Sequence, residues 1–166
     1  TRAGIAQGMN VADLGCGGAG HFIIPAAELI GNKCIAYAVD ILRSVLAEVS
    51  RKARIAGVTN LKTIWANLEI YRSTRLPDNY LDMDFLINIL FQSKEHLNIF
   101  QEAKRILKRG GRLLVIDWNQ SSVPFGPPPV DRVKAKEVRS IATTLEFQLI
   151  DEFPAGKYHF ALVFQK

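Results

Sequence analysis

The chain has 166 residues, of which 48% are hydrophobic and 22% are charged, a balance that permits one continuous core and argues against a disordered chain. The net charge of +5 permits an anionic partner, but the basic residues are spread over the outer faces of three predicted helices, which favours ordinary solvated surfaces. The two cysteines, Cys16 and Cys34, follow no metal-ligand or disulfide spacing, and no apolar run approaches the ~20 residues that span a bilayer. We therefore expect a single cytoplasmic domain over residues 1–166, with no metal and no membrane span.

Short apolar runs alternate with amphipathic stretches along most of the chain. This pattern predicts strands at residues 9–14, 33–39, 61–65, 82–89 and 112–118, and helices at residues 19–30, 42–56 and 94–108. A further helix at 137–146 precedes two strands, 147–153 and 158–164, whose link is so short that they must pair antiparallel. The alternation therefore predicts an α/β fold with a mostly parallel sheet, helices on both faces and an antiparallel C-terminal hairpin.

The loop after the first predicted strand is rich in glycine. Glycines at positions 15, 17 and 20 permit a tight turn and let a ligand approach the backbone. The turn leads into a helix N-terminus, which favours negative charge. The spacing Gly15-x-Gly17-x-x-Gly20 also fits a dinucleotide fingerprint, with Asp40 in the place of the ribose-binding acid. The glycines alone therefore leave a nicotinamide dehydrogenase open.

Asp13 favours a different cofactor, because an acid two residues before the first glycine would repel a pyrophosphate and suits a cationic amino or sulfonium group. With Asp13-Leu14-Gly15-Cys16-Gly17, and with residues 105–113 (RILKRGGRL), the sequence resembles the class I S-adenosylmethionine-dependent methyltransferases. It is most similar to the group that contains the ubiquinone and menaquinone biosynthesis enzymes. The resemblance implies a Rossmann-like, doubly wound, seven-stranded sheet in the order 3-2-1-4-5-7-6.

The resemblance also implies a set of residues that contact S-adenosylmethionine. Asp40 would accept hydrogen bonds from the ribose hydroxyls, and Ile41 would lie on one face of the adenine. Asn67 and the amide of Leu68 would contact the adenine amino group. Asp40 and Asn67 also have structural interpretations, as the cap of the next helix and as a turn residue. The other implied contacts are Asp13, Gly15, Cys16, Gly17, Gly18, Gly20 and the backbone carbonyl of Asn88.

Methyl transfer from a sulfonium depends on positioning more than on acid–base chemistry, and no constellation of residues marks a catalytic base. Polar groups that could orient an acceptor are expected at Asn88, Gln92, Asp117 and Asn119. The proline-rich segment 121–129 is either a rigid connector or a wall of the acceptor site. We predict a methyltransferase that acts on a small molecule, releases S-adenosylhomocysteine and is a monomer or homodimer. An RNA methyltransferase and a non-catalytic, cofactor-binding partner subunit are the alternatives.

Overall fold

The computed structural model describes residues 2–121 and 123–166, and seven strands in these ranges pair into one sheet. The strands are β1 (Val11–Leu14), β2 (Ala36–Asp40), β3 (Leu61–Trp65), β4 (Leu81–Ile87), β5 (Leu107–Trp118), β6 (Gln148–Pro154) and β7 (His159–Gln165). Their order is β3-β2-β1-β4-β5-β7-β6; β1 to β5 are parallel, and β7 is antiparallel to both β5 and β6. The predicted fold class and strand order are confirmed.

Four α-helices of the described residues pack on the two faces of this sheet. They are α1 (Ile23–Ile30), α2 (Arg43–Ile55), α3 (His96–Ile106) and α4 (Ala135–Thr144), and short 3-10 turns occur at Leu90–Gln92 and Pro129–Asp131. Val11 belongs to a core cluster with α1 and α2, whereas the adjacent Ala12 belongs to a second cluster with α3 and α4. Successive side chains of a strand point to opposite faces, so each buried strand contributes to both cores. Within the described residues, none of the helices has the length and apolar character needed to cross a membrane.

The helix α1 begins at Ile23, later than the predicted start at residue 19. Gly17 has a φ of 58° and Gly20 a φ of 65°, and both values lie in the left-handed region that a right-handed helix excludes. The strand β5 begins at Leu107, inside the helix predicted at 94–108, because Leu107 pairs with Leu81 of β4. The register between β4 and β5 is irregular after this pair. The strand β3 has its predicted bounds, and the other predicted elements are present with shifted ends.

Arg105, which the sequence places on a solvated helix face, is in fact buried, with a side chain that is 4% exposed. Its guanidinium donates two hydrogen bonds to the Glu102 carboxylate, at 2.9 and 2.7 Å, and a third to the carbonyl of Leu76 at 2.7 Å. The Glu102 side chain is fully buried and also accepts the backbone N–H of Arg72 at 2.8 Å. This ion pair therefore fastens α3 to the long connection between β3 and β4.

Replacing Arg105 with alanine should lower the free energy of unfolding by about 3–5 kcal/mol, because the Glu102 carboxylate would stay buried without its guanidinium partner. Urea denaturation at pH 7 measures the loss. Burial raises the pKa of Glu102, but hydrogen bonds from Arg105 and Thr74 outweigh burial and hold that pKa below its usual value. The wild-type pair therefore stabilises the fold above the unfolded pKa of a glutamate, ~4.3, and the loss should shrink as the pH falls below it.

The control is Arg51→Ala, which removes a solvent-exposed ion pair with Glu48 and should lower the stability far less than Arg105→Ala. Equal losses for the two variants would contradict the structural importance of the buried pair.

Candidate functional site

A cavity of about 350 Å³ opens at the carboxyl ends of β1, β2, β3 and β4. Ligands bind at this edge in open α/β sheets, because the strand order reverses here and the chain leaves a crevice between two diverging connections. Six of the predicted cofactor contacts line the cavity: Gly15, Gly17, Asp40, Ile41, Asn67 and Leu68. The structure thus brings together residues from three separate connections of the chain.

The glycine turn is tied to the end of β2. The backbone N–H groups of Gly15 and Cys16 both donate to the carbonyl of Val39, at 2.8 and 3.0 Å. Gly15 has a φ of 88°, and a Cβ added there would approach the Ile89 side chain to 2.3 Å, so only glycine fits at this position. Gly17 is also left-handed, but a Cβ there would meet nothing within 4 Å, which leaves its face open toward the cavity.

The Asp40 carboxylate lies where the glycine turn meets the start of α2. One oxygen accepts the N–H of Gly17 at 3.2 Å, and the other accepts the N–H of Leu42 at 2.9 Å. The bond from Leu42 is local and resembles a helix cap, as expected if Asp40 caps the next helix. Each carboxylate oxygen can accept a further hydrogen bond, so the carboxylate can also bind two donors of a ligand.

Apolar and polar groups from the connections after β2 and β3 complete one side of the cavity. Ile41 and Leu42 both line the cavity, and they are 52% and 56% exposed. The Asn67 side-chain oxygen accepts the N–H of Glu69 at 3.0 Å, so the turn interpretation of Asn67 is realised. Trp65 does not line the cavity, but its ring N–H donates to the carbonyl of the lining residue Ile41 at 2.8 Å and so restrains the backbone there.

Sequence reasoning missed Glu69 as a cavity residue. The Ser93 hydroxyl donates to the Glu69 carboxylate at 2.6 Å, and this bond links the connection after β3 to the turn after β4 across the cavity. The only available signal was position, because Glu69 follows closely on the carboxyl end of a strand. Among the described residues the cavity lining thus has two carboxylates, those of Asp40 and Glu69, and no basic side chain.

Five predicted contacts do not line the cavity. Cys16 is buried in the turn, and Gly18 packs near Glu48 while its carbonyl accepts the Lys52 ammonium at 3.0 Å. At Gly20 an added Cβ would come within 2.7 Å of the Ile24 side chain, so this glycine allows the turn to pack on α1. The remaining two are Asp13, the buried last but one residue of β1, and Asn88, the residue that follows β4.

Asp13 is 1% exposed, and its Oδ1 has no hydrogen-bond partner in the ranges that the structure describes. Burial, followed by the nearby charge of Asp40, raises the pKa of Asp13 to about 7. Asn88 has a φ of 55°, and its backbone carbonyl, predicted to face the ligand, accepts the Gln92 side-chain amide at 3.0 Å. That carbonyl keeps one lone pair for a second donor.

Comparisons with known proteins agree with this architecture. A family profile described as a methyltransferase domain matches residues 5–152. The chain belongs to the class I S-adenosylmethionine-dependent methyltransferase family. This result confirms the resemblance noted in the sequence.

Individual relatives show how far the similarity extends along the chain. The ubiquinone/menaquinone biosynthesis C-methyltransferase UbiE of Erwinia tasmaniensis is 32% identical over 119 residues, which cover 71% of this chain and 46% of that protein. The chain thus spans about half the length of the curated relatives it matches. A SAM-dependent methyltransferase from Aquifex aeolicus superposes with a TM-score of 0.89 at 26% identity, over 98% of this chain and 85% of that one. The cyclase SpnF, at 14% identity and a TM-score of 0.81 over 98% of this chain and 76% of that one, shows the fold alone.

The candidate acceptor-orienting residues of this methyltransferase-family domain fall in different places. Gln92 lines the cavity, as expected. The proposal that Asp117 faces an acceptor is wrong, because its side chain is fully buried and both oxygens accept backbone N–H groups. Asn119 is occupied in a turn, where its amide donates to the Lys157 carbonyl and its oxygen accepts the N–H of Ser121.

The proline-rich segment is held as a connector between β5 and α4. The Arg132 guanidinium donates to the carbonyls of Pro127, Asn119 and Ser121, and the ring of Phe125 packs edge-on against Trp118 at 6.1 Å. None of these residues lines the cavity, and Ser122 lies outside the described residues. The connector interpretation therefore fits better than a wall of this cavity.

The buried Asp13 gives a prediction that needs no ligand. Its folded pKa of about 7 exceeds the ordinary value of an aspartate, so its favourable contribution is complete below ~4 and is lost as the pH rises through about 7. Asp13→Asn, which does not titrate, should gain stability relative to wild type between pH 4 and pH 8, by on the order of a few kcal/mol. Urea denaturation across this range measures the difference.

Glu48→Gln is the control for that experiment. Hydrogen bonding to Arg51 lowers the pKa of Glu48 to about 2, so its contribution changes mainly below the ~4.3 of an unfolded glutamate. The stability difference between Glu48→Gln and wild type should therefore stay nearly constant from about pH 5 to pH 8. A stability difference between Asp13→Asn and wild type that stays constant from pH 4 to pH 8 would contradict the raised pKa of Asp13.

Proposed function

We propose that this domain binds S-adenosylmethionine in the cavity at the carboxyl edge of the sheet. It transfers the sulfonium methyl group to a small-molecule acceptor and releases S-adenosylhomocysteine. The leaving group is already activated by its positive charge, so the reaction depends on in-line positioning of the acceptor. No residue of the cavity needs to act as a general base unless the acceptor atom has a high pKa.

The charge of the cavity carries this proposal. A chain with a net charge of +5 lines its cavity, among the described residues, with two carboxylates and no cation. The two carboxylates, of Asp40 and Glu69, favour a ligand that bears positive charge, and S-adenosylmethionine has both a sulfonium and an ammonium group. A dinucleotide would place its pyrophosphate on the glycine turn next to Asp13, which would repel it when ionised, and this argues against a nicotinamide dehydrogenase.

The remaining contacts suit the other parts of the cofactor. Asp40 would accept both ribose hydroxyls while it keeps its bonds to the turn. Ile41 and Leu42 expose apolar side chains on which the adenine would lie, with the backbone amide of Leu68 nearby. The left-handed backbone at Gly17 leaves open space for the methionine part. Asp13 would support this end of the site through its negative charge when ionised.

Small-molecule acceptors are favoured over RNA. In the described part of the chain, eight of the 21 basic residues form ion pairs with acidic neighbours. The acidic cavity would also repel a phosphate backbone at the point of transfer. RNA binding that weakened steeply with added salt would support the RNA alternative. Binding of the cofactor without methyl transfer to any acceptor would support the alternative of a non-catalytic partner subunit.

Asp40→Asn is the sharpest single-residue test of cofactor binding. The variant keeps the shape of the side chain but replaces one acceptor oxygen with a donor, so S-adenosylmethionine should bind about ten- to a hundredfold more weakly in isothermal titration calorimetry. Glu48→Gln, which neutralises an exposed carboxylate of α2 outside the cavity, should leave the affinity within twofold. Unchanged affinity in Asp40→Asn, or no binding by the wild-type protein, would overturn the proposal.

A further inference from the structure

Asp117 is the last but one residue of β5, and its carboxylate is fully buried at the same edge of the sheet as the cavity. One oxygen accepts the N–H of Leu90 at 3.1 Å, and the other accepts the N–H of Trp118 at 2.8 Å. Neither oxygen is exposed to a ligand. The side chain instead joins the turn after β4 to the last residue of the adjacent strand β5.

The peptide groups around Leu90 are held from two directions. Its N–H donates to Asp117, and its carbonyl lies 2.8 Å from the Nε2 atom of His96, the first residue of α3. Carboxylate and imidazole therefore hold the same residue of a 3-10 turn, one from the sheet and one from the helix. A hydrogen bond with an ionised acceptor is about twice as strong as a neutral one, so the Asp117 bond is the stronger restraint.

This turn forms a wall of the cavity. Ile89 and Gln92, on either side of the restrained residue, both line the cavity, as does Ser93. The turn starts from Asn88, which has a left-handed φ of 55°, and Gln92 donates back to the Asn88 carbonyl at 3.0 Å. A non-glycine residue in this conformation needs support from its surroundings. The support beneath the turn comes from Asp117.

We infer that Asp117 is a positioning residue for the cofactor: with His96 it fixes the Leu90 backbone, and through it the cavity wall formed by Ile89, Gln92 and Ser93. The inference rests on the proposed function, since the wall acts on whatever the cavity binds. It requires Asp117 to act through the backbone and not by contact with substrate. A displacement of such a wall by ~1 Å is enough to cost a large factor in binding or rate.

The protonation of Asp117 gives its positioning role a measurable pH dependence. Burial raises the pKa of Asp117 to about 6, although the two backbone hydrogen bonds and His96 oppose the shift. His96 on α3 is the titratable group that faces it; the register partner of Asp117 on β7 is Phe160, and the residue after β4 is Asn88, neither of which titrates. Arg132 lies beyond, over the Trp118 ring. Protonation of Asp117 weakens its bonds to the backbone, so the wall is best held above pH 6.

The experiment measures the affinity of the intact protein for S-adenosylmethionine by calorimetry from pH 5 to pH 8. At pH 8, Asp117→Ala should weaken binding at least about tenfold. The double variant Asp117→Ala/His96→Ala should be weakened by less than the product of the two single effects, because both side chains hold one residue. Asp117→Asn should lack the loss of affinity that wild type shows as the pH falls through about 6. Titration of Asp13, near pH 7, is common to both proteins and cancels in the comparison.

Asp82→Asn is the matched control, because the Asp82 carboxylate accepts the backbone N–H of Asn10 at 2.8 Å at the opposite edge of the sheet. It should leave the affinity within twofold. Amide hydrogen exchange without ligand checks folding: Asp117→Asn should speed exchange in residues 88–93 and leave β1 unchanged. If wild type binds the cofactor and the Asp117 variants bind equally well with the same pH profile, this inference is overturned while the proposed function stands. If wild type does not bind the cofactor, both are overturned.

Discussion

Two successive backbone N–H groups, those of Gly15 and Cys16, converge on the carbonyl of Val39, and the shape of the whole site depends on this convergence. The bonds hold the turn after β1 against the end of β2 and force the chain through left-handed conformations at Gly15 and Gly17. A side chain is excluded at Gly15 by Ile89, so the turn also packs against the end of β4. One turn thereby brings the ends of three strands together, and the cavity is the space that remains between them.

The same edge of the sheet concentrates negative charge at a cost to stability. Asp13 and Asp117 are buried side chains whose pKa values are raised, to about 7 and about 6, chiefly by loss of contact with water. Asp40 and Glu69 line the cavity in the open. Burying an acid costs stability when one of its oxygens has no hydrogen-bond partner, as is the case for Asp13 among the residues that the structure describes. Such costs are expected where a bound cation would offset them, in keeping with the cationic ligand proposed for the cavity.

Much of this fold could be predicted from the sequence, because apolar periodicity reports directly which segments are buried. The strand at 61–65 was predicted with its observed bounds, and the short link before β7 required an antiparallel hairpin. The start of α1 was misplaced because the sequence does not show which glycines adopt a left-handed φ. Arg105 was misassigned because its partner Glu102 became visible as a buried acid only once α3 was packed on the sheet.

The site was predictable to a lesser extent. The positions of Gly15, Gly17, Asp40 and Asn67 followed from a motif whose residues lie on strand ends, and all four line the cavity. Asp117 also lies near a strand end, but its side chain is buried and bonds to backbone, which depends on the path of a turn that sequence periodicity does not describe. Contacts between a side chain and the backbone of a distant segment leave no pattern in a single sequence.

A crystal structure of the protein with S-adenosylhomocysteine tests the central claim most directly. The account predicts that the ribose hydroxyls lie within ~3 Å of the Asp40 carboxylate oxygens and that the adenine packs against Ile41. A complex in which the nucleoside lies outside this cavity, or in which Asp40 does not contact the ribose, would contradict the assignment of the acidic cavity as the cofactor site.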